Sequence, residues 1–119
     1  MFKWRLGQDE FYKEFLEVTK TICDTVHNKN KDYSGDGTDD AFKNFRVSEM
    51  LGLATTEQGM LVRMTDKMIR ATNLLKQKNF VEGEKMEDTL LDLAAYSIIM
   101  YIYVKHEKEQ GLKDEAKED

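Results

Sequence analysis

Glu84, Asp88, Asp92 and Tyr96 follow one another at intervals of four residues. In a helix that spacing places three carboxylates and a phenol along one face. Oxygen donors so arranged suit a hard divalent cation, and Mg²⁺ is the natural candidate for Asp88 and Asp92 with Glu84. Glu84 falls in the first turn of its segment, where the helix dipole alone favours an acid. Asp92 is the more informative residue. It sits among Leu90, Leu91, Leu93, Ala94 and Ala95, and a carboxylate in apolar surroundings needs a counter-charge or a metal. Arg63, Lys67 and Arg70 are the candidate counter-charges, and the spacing favours an ion pair over a metal site. The two arrangements coexist in nucleotide sites, where phosphates need both.

A second group is Arg63, Asp66, Lys67 and Arg70, at i, i+3, i+4 and i+7. These share a helix face. On an isolated helix they would form a solvated face whose ion pairs contribute little. Three cations around one anion are also the elements of a phosphate clamp, with Arg supplying planar forks and Lys a point charge. A third group is Lys31, Asp32 and Tyr33, followed by Asp36, Asp39 and Asp40. Its Asp, Asn and Gly residues are ordinary turn formers, and the spacing lacks the alternation and terminal Glu of a calcium-binding loop. Tyr33, Phe42 and Phe45 are candidates to stack on a base, although aromatics flanking a helix more often belong to a core. His27 and His106 have no evident partners. Serine-nucleophile contexts, glycine-rich phosphate loops and zinc spacings are absent from the sequence.

Helices must position these residues. Phe11, Phe15, Val18, Ile22 and Val26 recur at helical spacing and predict a helix over 9–28. Residues 28–40 carry no apolar period and read as a long loop. A short helix fits 41–51, with Asp39 or Asp40 as cap, Gly52 as stop and Phe42, Phe45 and Met50 as its apolar residues. A third helix starts at Thr55 or Thr56, where Thr55 and Gln58 resemble a capping box. Leu61, Met64, Met68, Ala71 and Leu75 form its expected core stripe. After a turn at 79–83, a fourth helix covers 84–107 and is apolar nearly all round from 90 to 104. Such a helix is expected to be central, covered by its own domain and by another subunit. The expected fold is therefore all-α: a compact bundle of about four helices, the last long and central, in a homo-oligomer. A single domain spans 1–109, and the charged tail 110–119 is expected to fray.

Composition narrows the function. The 119 residues are 34% charged and 40% hydrophobic, with seven glycines and no proline, as expected of one soluble helical domain. A formal net charge of -5 and a pI near 5.1 argue against general nucleic-acid binding. A small anionic ligand remains compatible with a local basic cluster. Cys23 is the single cysteine, so no intrachain disulfide forms; it reads as a small core residue in a reducing compartment. Residues 1–7 lack the apolar core of a secretory signal. The apolar run 90–104 is shorter than the ~20 residues that span a bilayer, and Asp92 would be costly there. A cytoplasmic protein without membrane association is expected.

Three segments carry a family resemblance: Lys31-Asp32-Tyr33, the run from Leu61 to Arg70 (LVRMTDKMIR), and the run from Glu87 to Tyr96 (EDTLLDLAAY). In this order they resemble the nucleotide modification associated domain family, small all-α proteins common in bacteriophages. The match covers roughly residues 28–104. It implies a nucleotide connection and a viral setting, hence the cytoplasm of an infected host cell. On that basis the expected nucleotide-binding residues are Lys31, Asp32, Tyr33, Phe45, Arg63, Asp66, Lys67, Arg70 and Tyr96. A looser similarity links the chain to MazG-like nucleoside triphosphate pyrophosphohydrolases, which are helical, Mg²⁺-dependent and oligomeric. Asp88 and Asp92 resemble the second part of their acidic motif, but the spacing is four rather than three and the first part is missing; Glu10, Glu14 and Glu17 do not supply it. The expected function is therefore a phage-type nucleotide binder that sequesters a nucleotide or nucleotide signal, in a counter-defence role, in a charged pocket between the third and fourth helices. A Mg²⁺-dependent pyrophosphohydrolase and a non-catalytic helical adaptor are the alternatives.

Overall fold

Local chemistry at residues 52–58 organises the middle of the chain. In the computed structural model, which describes residues 2–34, 40–77 and 84–118, the Thr55 side chain accepts from the Gln58 backbone N–H at 3.1 Å, while Gln58 accepts from the Thr55 N–H at 2.9 Å. This reciprocal box starts helix α3, Thr56–Lys76. Just upstream, the four-residue helix α2, Val47–Met50, ends on Gly52 at φ 72°. The Gly52 N–H reaches the Glu49 carbonyl and the Leu53 N–H reaches the Ser48 carbonyl, the pair of bonds of a Schellman stop, which glycine adopts without strain. Gly59 has a different reason to be glycine. A Cβ there would lie 2.6 Å from Ser48 Oγ, so its absence lets α2 lie close against α3.

Helix α1, Gln8–Ser34, and helix α4, Glu84–Glu118, complete the set. A 3₁₀ turn, Lys43–Phe45, precedes α2. The described residues contain no strand, and no helix among them is long and apolar enough to cross a membrane. α3 packs along α4, and α1 lies against α4 and the 3₁₀ turn.

Several boundaries differ from expectation. Residues 28–34 continue α1 rather than opening a loop; backbone hydrogen bonds propagate a helix without any apolar period in the side chains. Lys31, Asp32 and Tyr33 thus belong to the last turns of α1, with their side chains outside the described set. Asp36, Asp39 and the turn at 79–83 also lie outside the described residues. The expected helix 41–51 is divided at Arg46 into the 3₁₀ turn and α2. Asp40 acts ahead of it, its Oδ1 accepting from the Phe42 N–H. α4 runs on to Glu118 where a frayed tail was expected, because Leu112 to Glu118 are mostly good helix formers.

The core is small. Ile22, Phe45, Met60, Ala71, Leu74 and Tyr103 are its buried apolar residues, and Met60 is the deepest at 1% exposure. The α3 face turned to the core carries Thr56, Met60, Ala71 and Leu74, so the expected stripe meets it only at Ala71. Leu61, Met68 and Leu75 are exposed. Among the α1 side chains described, those of residues 8–29, only Ile22 is buried, while Phe11, Phe15 and Val18 are exposed; Cys23 is exposed as well. The single chain is elongated rather than compact. It measures 61 × 33 × 32 Å with a radius of gyration of 18.1 Å, against roughly 13–14 Å for a compact chain of this length.

Candidate functional site

α1, the 3₁₀ turn, α3 and α4 together enclose a cleft of about 470 Å³. α1 contributes Ile22, Thr25, Val26 and Lys29, positions three and four apart on one face. The 3₁₀ turn contributes Asn44 and Phe45, and α3 contributes Arg63. From α4 come Asp88, Leu91, Asp92, Ala95, Tyr96 and Ile99, again one face.

Asp92 stands between two lysines from different helices. Lys67 Nζ of α3 lies 2.9 Å from Oδ2, and Lys29 Nζ of α1 lies 3.8 Å from Oδ1. The ion pair expected from the apolar setting of Asp92 is thus made with Lys67. It is half-buried rather than fully enclosed, which keeps the lysines within reach of a ligand. Arg63 is directed elsewhere. Its guanidinium lies 4.6 Å from the centroid of the Phe45 ring, a cation–π contact, and its Nη2 donates to the Asn44 carbonyl at 3.4 Å. The Phe45 ring in turn meets Tyr96 edge-on at 6.1 Å between centroids.

Another cation, Arg46, holds this wall in place. Its Nε donates to Asp40 Oδ2, and its guanidinium lies 5.3 Å from the Tyr103 ring centroid and 5.8 Å from that of Phe42. The Asp40 hydrogen bond raises the Arg46 pKa above its ordinary value. Phe42 and Tyr103 pack edge to face at 5.2 Å. This cluster pins the 3₁₀ turn, and with it Phe45, to α4.

Five residues expected at the site, Phe45, Arg63, Asp88, Asp92 and Tyr96, line the cleft, and a sixth, Lys67, reaches its wall through the ion pair with Asp92. Asp66 and Arg70 are exposed and do not line the cleft. For Lys31, Asp32, Tyr33 and Glu84 the side chains lie outside the described residues. Lys29, Thr25 and Asn44 were not anticipated. The signal for Lys29 was present in the register of α1, since 22, 26 and 29 share a face, but it required α1 to continue past 28.

The acids do not form a metal-binding set among the described residues, where no group of three His, Cys, Asp or Glu could hold an ion. Asp88 and Asp92 both face the cleft, but Asp92 is engaged by two ammonium groups. The cleft therefore offers cations, hydroxyls and aromatic edges for binding, with two carboxylates beside them. Compared with protein-family models, curated proteins and solved structures, the chain gives no match.

Proposed function

We propose that this cleft binds a nucleotide and holds it without turning it over. The observation that carries the reading is the convergence of Lys29 and Arg63 with Phe45 and Tyr96 on the lining of a single cleft, with Lys67 joined to it through its ion pair with Asp92. Cations from two helices suit phosphate oxygens, and the volume lies within the range of small-molecule sites. Tyr96, half-buried at the wall, offers a ring to a base. Asp92 fixes the two lysines until the ligand arrives, and phosphate then competes with it for their protons. Sequestration of a nucleotide or nucleotide signal by a phage protein, as a counter-defence, accords with this chemistry and with the family resemblance of residues 28–104.

Mg²⁺-dependent pyrophosphohydrolysis is the second reading, favoured by Asp88 and Asp92 lying together on the cleft wall. Asp92 is already engaged by Lys67 and Lys29, so binding without turnover is the better supported of the two.

Incubating the protein with Mg²⁺ and a panel of nucleoside triphosphates, cyclic nucleotides and dinucleotides tests the proposal. Chromatography after denaturation should return a retained ligand intact. Consumption of the ligand would establish the hydrolase, and neither retention nor turnover would leave the helical adaptor.

A further inference from the structure

On the side of the α3–α4 pair remote from the cleft lies an open groove of about 490 Å³. Helical spacing sets the two apart. On α4 the cleft takes 88, 92, 95 and 99, whereas the groove takes 93 and 97; on α3 the cleft takes 63 and the groove 61, 64, 68 and 72. Leu61, Met64, Met68, Ile69 and Leu93 form the apolar floor, and the remaining lining residues are Thr, Asn and Ser. No residue of the lining is charged, in a chain that is 34% charged.

The face extends beyond the groove. Leu90 and Tyr101 continue the Leu93–Ser97 row at helical spacing, and both are exposed, as are Leu61, Met68 and Ile69. Leu61, Met64 and Met68 belong to the α3 stripe expected to face the core, and among the described residues no other element lines this face.

We propose that a second copy of this chain covers it, with two α3–α4 pairs meeting face to face as a four-helix bundle about a two-fold axis. The accessible area leaves room for such a contact. One chain exposes 10068 Å², whereas a compact 13.9 kDa monomer exposes roughly 6,700 Å². The surplus is spread over the whole chain and is larger than the ~800 Å² that each partner buries in a standard interface. Charge argues for self-association through this face in particular. Each chain carries a net charge of -5, so most surfaces of two copies repel, while an uncharged face brings no like charges together. An apolar, Met-bearing patch depleted of charge is also the composition of an interface core. The exposed half of α1 is less suited, because Lys13, Glu14 and Glu17 interleave with Phe11, Phe15 and Val18. Face-to-face pairing leaves both clefts on the outside of the dimer, each built from a single chain. The inference is therefore independent of what the cleft binds.

Sedimentation of the full-length protein without ligand tests it. The wild type is expected at twice the 13.9 kDa chain mass. Met68→Lys and Ile69→Glu, at positions 54% and 56% exposed in the single chain, are each expected to give the single-chain mass with unchanged helical circular dichroism. The dissociation constant should rise at least ~100-fold, since each variant buries an unpaired charge in the interface. Phe15→Lys on α1 is expected to leave the dimer intact. As a check that needs no variant, the wild-type melting temperature should rise with protein concentration. A wild type of single-chain mass, a melting temperature independent of concentration, or an oligomer that survives both groove variants would overturn the proposal.

Discussion

Lys67 of α3 and Asp92 of α4 form a 2.9 Å ion pair at the point where α1 also reaches α4, through Lys29. Three helices therefore meet on one carboxylate. Removing its charge with Asp92→Asn leaves two lysines without their shared counter-ion. The pair is half-buried, so a loss of about 1 kcal/mol is expected. For a chain of this length that corresponds to a fall of roughly 3–6 °C in Tm. A double-mutant cycle with Lys67→Met should give a coupling energy of about 0.5–1 kcal/mol; additive single effects would show the pair to be energetically idle.

Met60 is the most deeply buried apolar side chain, and it packs with Phe45 and Tyr103. Met60→Ala should cost about 2–5 kcal/mol in urea denaturation. With so few buried residues, that is a large share of the ~5–15 kcal/mol typical of a domain. The same truncation at Leu61, which is exposed in the single chain, separates the two sides of α3. It should leave folding cooperativity intact and act through dimer affinity.

The α3 start and the α2 stop are separable in the same assay. Thr55→Ala removes one half of the capping box and should cost about 1 kcal/mol. Gly52→Ala places a Cβ on a residue at φ 72° and should cost roughly 1–2 kcal/mol. A Thr55→Ala variant as stable as the wild type would mean that α3 is held by packing alone, and a neutral Gly52→Ala would mean that the α2 stop does not need glycine.

Both of those signals were legible in the sequence because they are local. Thr55, Gln58 and Gly52 act on backbone groups within a few residues. The end of α1 was not legible, since Asn28 to Ser34 carry neither an apolar period nor a stop signal, and the helix continues on backbone bonds. The face of α3 was misjudged for another reason. Leu61, Met64, Met68 and Leu75 form a valid apolar stripe, but burial is decided by the side α4 meets, and Met60 and Leu74 lie on that side. At the site, the need of Asp92 for a cation followed from its apolar neighbours, and Lys67 was among the three candidates. Lys29 depended on α1 approaching α4, a tertiary event that spacing within one helix does not encode.

Alkaline pH offers a test of the Phe42–Arg46–Tyr103 cluster. Burial raises the Tyr103 phenol above its ordinary value of 10.0. Above that pH the unfolded chain releases the phenolic proton while the folded chain retains it. The folded state then binds more protons, and stability falls as pH rises from about 10 through the folded value. Urea titrations across this range should show a shallower fall for Tyr103→Phe than for the wild type. Parallel curves would mean that the phenol ionises as freely in the folded protein as in the unfolded one.

Calorimetric titration of the protein with the ligand retained from the nucleotide panel, comparing the wild type with Lys67→Met and Tyr96→Leu, shows whether the cleft is the binding site. Saturable binding at one ligand per chain is expected, weakened about tenfold or more by each substitution while helical circular dichroism is preserved. Unaltered affinity in both variants would contradict this, because the ligand would then lie outside the cleft between α1, α3 and α4.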